Sequence, residues 1–218
     1  MTVQAEVSSR GITEVVHFTT HLGVLGSLAK GALLSRHRLP QEDYLQHILH
    51  VNSIYRPEES EFFDKSQNWL DYVNLSISEI NRRFFDVSQR WHSNSGVWWA
   101  VLSFDSSIMS HNVVFATTNN GYEHCFRHGG VEGFKKLFEP VIRRKGSWSA
   151  YRHTRPSMLT TCEQAEVLYP GEVPIRYLKA IYVREGDHSD QVKAWLLDFH
   201  YTHVDVLISP EKFIGCQN

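Results

Sequence analysis

Short apolar runs of strand length alternate with amphipathic helical stretches along this chain, but not in the strand–helix–strand rhythm that builds a parallel sheet. No GxGxxG opens a helix after a strand, so a doubly wound dinucleotide fold does not fit. The β-branched and aromatic runs Val15–Phe18, Leu70–Ile77, Val97–Phe104, Val113–Ala116, Gln164–Tyr169, Leu178–Val183 and His203–Ile208 read as strands. Helices are expected over 22–30, ended by Gly31, over 42–49, after an N-cap at Ser78, over 131–138, and after an N-cap at Ser189. Residues 139–162 carry little periodicity and read as a long loop. With no repeat, linker or low-complexity tract, residues 1–218 are expected to form a single α+β domain. A split β-sandwich with surrounding helices fits this pattern best.

The formal net charge is −2. Proteins that coat duplex DNA usually carry a large positive excess, so the net charge does not support broad nucleic-acid coating and leaves a local basic patch open. Six Trp, nine Tyr and twelve Phe supply core packing, and equally rings that stack on nicotinamide, adenine or unpaired bases. Three cysteines without paired spacing point to a reducing compartment. No basic start followed by an apolar run marks a signal peptide, and no apolar stretch approaches a membrane span. A cytoplasmic protein with no membrane partner is expected.

Four constellations carry chemistry. His17 and Thr19 flank Phe18 at a strand end, where a core histidine and a pair of ribose-facing polar groups are both consistent readings. Alternation places Tyr72, Asn74 and Ser76 on one strand face, either a polar outer surface or the wall of a cleft. Gln164 and Glu166 share a face of the next candidate strand. Glu166 follows a segment with no acidic residue from Pro140 to Cys162, so it is either a solvated edge carboxylate or an isolated anion suited to a cationic transition state. Within that segment, Arg143, Arg144, Lys145, Arg152 and Arg155 interleave with Trp148 and Tyr151, either a solvated face or a grip for phosphates and unstacked bases. His47 with His50, His124 with Cys125 and His128, and His200 with His203 have ligating spacings but no full partner set, and HExxH is lacking, so no metal is expected.

Taken in order, His17-Phe18-Thr19, Asp71-Tyr72-Val73-Asn74 and Gln164-Ala165-Glu166-Val167-Leu168, with the following stretch to Val183, resemble the DarT-type DNA ADP-ribosyltransferase toxins of bacterial toxin–antitoxin and phage-defence systems. The resemblance implies an ADP-ribosyltransferase fold binding NAD between two sheets. It implies transfer of ADP-ribose to a base of single-stranded DNA, and an antitoxin, an ADP-ribosyl-DNA hydrolase, that removes the mark. By position, His17 and Thr19 would contact NAD, and Tyr72, Asn74 and Ser76 would line its nicotinamide side. Glu166 would be the catalytic carboxylate, and Arg56 the family's arginine upstream of the Tyr-Val strand. Gln164 would meet the incoming base, while Arg143, Arg144, Trp148, Arg152 and Arg155 would grip the strand. Tyr-Val-Asn-Leu-Ser-Ile at 72–77 departs from the Tyr-Val-Pro-Phe-Tyr-Phe of thymine-modifying relatives and is closer to what the guanine-modifying branch would carry. The expected class is glycosyl transfer, with nucleotidyl transfer beside it. An RNA 2′-phosphotransferase, a protein-directed ADP-ribosyltransferase, a non-catalytic nucleic-acid module and a metal-dependent hydrolase are the rival readings.

Overall fold

In the computed structural model, residues 2–39, 71–93, 96–144, 146–216 and 218 are described. The helix expected over 42–49, Arg56 and Lys145 lie outside them. The central element is a strand, β1 (Glu14–Thr20), rich in β-branched residues and antiparallel along its whole length to β4 (Trp99–Asp105). On the far side of β4 lies β11 (Leu178–Val183), with a register shift between Leu178 and Ala180. It is followed by the edge strand β12 (Asp205–Ile208), parallel to β11. A parallel neighbour needs a crossover, and the helix between them supplies it at Gly186–Asp198.

A second group of four strands lies on the other side of β1. Strand β3 (Tyr72–Ile77) pairs with β9 (Glu166–Pro170), β9 with β5 (Val114–Ala116), and β5 with the edge strand β6 (Arg127–Gly129), all antiparallel. The two groups meet at only two register pairs, Val15↔Ile77 and Val16↔Ser76. Beyond Val16, β1 stays with β4 while Tyr72 to Leu75 pair with β9 instead. The eight-stranded sheet is thus split along one line, as expected of an ADP-ribosyltransferase-like fold. Among the described residues, two short pairs stand apart from that sheet: β2 (Ala32–Leu34) with β10 (Glu172–Pro174), and β7 (Val141–Arg143) with β8 (Ser149–Tyr151).

Alternation sorts each strand into two faces. The main core takes Val15, Val73, Leu75, Leu102, Phe104, Phe115, Val167 and Ile181 from one face. It is closed by Val24 and Leu28 of α2 (His21–Lys30), by Phe134 of α4 (Gly130–Lys136), and by Val192 and Leu196 of α5, the crossover helix. On the opposite face Val16 and Val101 pack under Phe85 of α3 (Arg82–Trp91) and under Phe213. Near the start of the chain, α1 (Val3–Ser9) adds Val7 to the main core.

The helix stop at Gly31 is as expected: its φ of 76° lies in the left-handed region that suits glycine. Other expectations are corrected. Ser78 is not an N-cap; it turns the chain with φ 61°, and the helix begins at Arg82, capped by the side chain of Asn81, which accepts from Phe84 N–H at 3.1 Å. The delay allows Glu79 and Ile80 to be buried first. Ser189 is an interior, buried position of α5, which starts a turn earlier after Glu185. Residues 139–162 contain the β7–β8 hairpin. Gln164 lies in the turn before β9, where Ala165 N–H donates to Cys162 O at 3.0 Å, so it does not share a strand face with Glu166.

Candidate active site

Glu166 opens β9 and is 7% exposed. Its strand partner on β5 is Ala116, whose partner on β6 is Arg127. Directly opposed residues of antiparallel strands point to the same side, so Glu166, Ala116 and Arg127 share one face. The pairs Asn74↔Leu168 and Tyr72↔Pro170 put Tyr72, Asn74 and Ser76 on that face too. The polar wall read from β3 and the isolated carboxylate read from β9 therefore belong to one surface.

The segment from Thr117 to Phe126, between β5 and β6, provides a partner for the carboxylate. Asn120 N–H donates to Glu166 Oε2 at 2.8 Å. The segment is shaped from within by Arg127, whose Nε donates to Asn120 Oδ1 at 2.6 Å and whose Nη1 donates to Cys125 O at 3.2 Å. Its Nη2 donates to Asn120 O, and to Tyr122 O at 3.4 Å. Two thiols converge on Thr118: Cys125 Sγ faces its carbonyl at 3.5 Å and Cys162 Sγ its hydroxyl at 3.4 Å. Burial pushes both thiols up from their ordinary value, and for Cys125 the nearby Glu166 carboxylate adds to it. At neutral pH both are protonated, inert packing groups with weak donor capacity. Gln164 Nε2 reaches Tyr122 OH at 3.5 Å, a tie to the same segment.

Across the split, His17 and Thr19 are half-buried on β1. Where ladder bonds between β1 and β3 have stopped, His17 Nδ1 lies 2.8 Å from Asn74 O. A carbonyl can only accept, so Nδ1 carries the proton and the ring stands across the gap in a fixed orientation. Thr19 packs directly on Gly23 in the first turn of α2, where an added Cβ would collide with its hydroxyl. Beyond the strand, Thr20 caps α2 through its side chain, which accepts from Gly23 N–H at 3.4 Å. At the other end of β3, Asp71 accepts from Ser35 Oγ at 2.8 Å and from Arg38 Nε at 3.1 Å, tying β3 to the turn after β2. The Ser35 hydroxyl, helped by Arg38, holds the Asp71 carboxyl below its ordinary value.

The basic segment has two kinds of arginine. Arg144 and Arg155 are interior, each with a side chain 5% exposed. Arg144 Nη2 donates to Glu163 Oε2 at 2.5 Å, while Arg83 Nε of α3 takes Oε1 at 2.7 Å, so two guanidinium groups bracket a carboxylate with no exposed surface. Arg155 pairs with buried Glu79 and donates to Thr160 O at 2.5 Å. Arg152 donates to Leu159 O and Pro156 O, each at 3.1 Å, and to Thr161 Oγ1 at 3.3 Å. These three arginines bond Glu79, Glu163 and carbonyls of the irregular stretch leading into β9; Arg144 and Arg155 are thereby internal struts, while Arg152 stays half-buried. The hairpin presents Arg143, Trp148 and Tyr151 to solvent, with Arg83 6.0 Å from the Trp148 ring.

The chain matches the family model described as "ssDNA thymidine ADP-ribosyltransferase, DarT" over residues 16–214. The chain belongs to the DarT family. It is thereby an NAD-dependent DNA ADP-ribosyltransferase by family, with NAD as substrate. Among solved structures, it is similar to Thermus sp. 2.9 DarT in complex with NAD+, at a TM-score of 0.63 and 16% identity, over 92% of this chain and 97% of that one. The Thermus sp. 2.9 DarT complex with ADP-ribosylated single-stranded DNA gives 0.64 and 16%, over 93% and 97%. Thermosipho africanus DarTG in complex with ADP-ribose gives 0.55 and 15%, over 94% of this chain and 52% of that one, so this chain spans about half of that protein. At such identities these likenesses establish the shared fold. A search of curated protein sequences gives no match.

DarT chemistry moves a glycosyl group, so the nucleotidyl-transfer class expected beside it is not supported. Among the described residues no group of three or more His, Cys, Asp or Glu is placed to hold a metal ion, and no helix is long and apolar enough to cross a membrane. Sequence reasoning missed Asn120 and Arg127. Nothing local marks a backbone N–H as a carboxylate clamp, and Arg127 stands apart from the arginine-rich stretch. The Thr-Thr-Asn-Asn-Gly run at 117–121 was the available signal, since such residues build loops through side-chain to backbone bonds.

Proposed function

We propose that this DarT member transfers ADP-ribose from NAD to a base of single-stranded DNA with Glu166 as its catalytic carboxylate. The observation that carries this reading is the placement of a buried glutamate, held by Asn120 N–H, on the face it shares with Tyr72, Asn74 and Ser76 beside the split between β1 and β3. As the nicotinamide–ribose bond breaks, positive charge develops on the anomeric carbon. A carboxylate bonded to the ribose 2′-hydroxyl stabilises that charge more in the transition state than in the ground state. His17 and Thr19 lie on the Val15 face of β1, whereas Tyr72, Asn74 and Ser76 lie on the Val16 face, so His17 and Thr19 would reach the ribose and nicotinamide only through the gap where β1 and β3 part. Gln164 would meet the acceptor base, and Arg56 would act on the pyrophosphate or the base. Arg143 and Trp148 on the hairpin would contact the strand by phosphate neutralisation and stacking.

Guanine is the base we favour, because Asn74, Leu75 and Ser76 stand where thymine-modifying relatives carry Pro-Phe-Tyr. Thymidine is the second reading, and the wording of the matched family supports it. Incubating the protein with NAD and four short oligonucleotides, each lacking one base, tests the whole reading by mass spectrometry. The guanine-free strand alone should fail to gain the ADP-ribose mass; failure of the thymine-free strand instead selects thymidine. No gain on any strand, with gain on RNA or protein, rejects DNA as the substrate. We further propose that the activity is toxic in a bacterial cytoplasm, serves phage defence, and is reversed by an antitoxin hydrolase. The Thermosipho africanus likeness is to a DarTG protein and supports such a pairing. Growth arrest on expression, relieved by the hydrolase, is the corresponding measurement.

A further inference from the structure

We infer that Arg127 is a positioning residue for the reaction, acting on Glu166 through Asn120. This rests on the reading of Glu166 as the catalytic carboxylate. An N–H that helps to aim the carboxylate belongs to an irregular segment with no ladder of its own. Turn bonds such as Tyr122 N–H to Asn119 O at 3.0 Å fold the segment on itself, and Arg127 ties it to the sheet. Arg127 is anchored in the sheet two strands from Glu166, through Ala116, so its backbone is fixed relative to β9. From there its guanidinium grips Asn120 twice, at the side-chain oxygen at 2.6 Å and at the main-chain oxygen, and it also takes the carbonyls of Tyr122 and Cys125. A planar fork with five donors in fixed directions suits several acceptors at once, whereas an ammonium on a flexible stem does not. Asn120 is 8% exposed, which leaves little room for water to replace the fork. Asn120 N–H in turn donates to Glu166 Oε2 at 2.8 Å. Arg127 thus links the sheet that carries the carboxylate to the loop that orients it. Small errors in the aim of a reacting group cost rate steeply, up to about a hundredfold for a 1 Å misplacement.

The test uses the full chain, with nicotinamide release in the presence of a single-stranded oligonucleotide as turnover, NAD affinity by direct titration, and thermal melting as the control for fold. Arg127→Gln is expected to lower kcat by roughly ten- to a hundredfold with NAD affinity unchanged. Arg127→Lys, which keeps the charge and loses the fork, should resemble Arg127→Gln rather than the parent. Asn120→Ala removes the side-chain anchor but keeps the N–H; it should lower kcat, and combining it with Arg127→Gln should add little. In a Glu166→Gln background Arg127→Gln should cost nothing further, because the group being aimed is gone. A loss of NAD affinity that matches the loss in kcat makes Arg127 a binding residue and overturns the inference, as does an undiminished effect in the Glu166→Gln background. Should Arg127→Gln melt early, Asn120→Ala decides alone, and full turnover there overturns the inference. A normal loss in Glu166→Gln with silent Arg127 and Asn120 variants sinks only the positioning role. Unchanged turnover in Glu166→Gln sinks the catalytic reading beneath it.

Discussion

Two irregular segments flank Glu166, and they use arginine in opposite ways. The segment from Thr117 to Phe126 coils around the single guanidinium of Arg127 and directs one N–H at a carboxylate. The segment from Glu139 to Gln164 is dense in arginine, yet Arg144 and Arg155 face inward on Glu163, Glu79 and main-chain carbonyls, and half-buried Arg152 bonds carbonyls of its own segment. Charge density along a sequence says nothing about which way the charge points. A long stretch with little ladder pairing leaves many carbonyls to satisfy, and arginine does this with several donors per side chain. The cations left for a partner are those whose strand geometry turns them outward, such as Arg143.

The contrast between an aimed site and a braced one makes predictions of decreasing size. Glu166→Gln should reduce nicotinamide release by on the order of a hundredfold to a thousandfold, with an unchanged melting curve; an early melt would move Glu166 from the aimed class to the braced one. Arg144→Ala should do the reverse. It leaves buried Glu163 with Arg83 alone and should destabilise the fold by about 3 kcal/mol, roughly 10 °C in melting temperature for a chain of this size. Normal melting with weakened DNA binding would return Arg144 to the strand grip. Trp148→Ala, with the ring 64% exposed, should weaken binding of a labelled single-stranded oligonucleotide by about tenfold and leave melting alone. Equal binding by that variant and the parent would remove the hairpin from the interface.

The smallest effect concerns Asp71. Its carboxyl is held below the ordinary value by the Ser35 hydroxyl first and Arg38 next, so the tie between β2 and β3 contributes stability above about pH 4. That contribution is lost as pH falls through the depressed folded-state value. Acid titration of the melting temperature should show a shallower drop for Asp71→Asn than for the parent; parallel curves would mean that this carboxyl is not coupled to folding.

Part of the proposed site was legible because it lies on strands. That Tyr72, Asn74 and Ser76 share a face follows from period-two alternation, whereas the choice of Glu166 over the nearby Glu163 came from the family resemblance. Gln164 was misplaced onto a strand because the apolar run beginning at Ala165 continues its pattern backwards, whereas the chain is still turning at Cys162–Ala165. Ser78 was misread as a cap because it is the right residue type before a helical pattern. The buried ion pair of Glu79 with Arg155 outweighs an early helix start there, and that pair spans residues far apart in sequence.

The sequence by itself determined which strand residues alternate and that a helix stops at Gly31, because periodicity and the special backbone freedom of glycine are local properties. Only the tertiary structure decided where the sheet divides, that His17 bridges the division to Asn74 O, and that Arg127 rather than the arginine-rich stretch reaches the loop beside Glu166. Those outcomes depend on strand register and on which buried carbonyl or carboxylate a side chain meets. Both are set by contacts between distant segments.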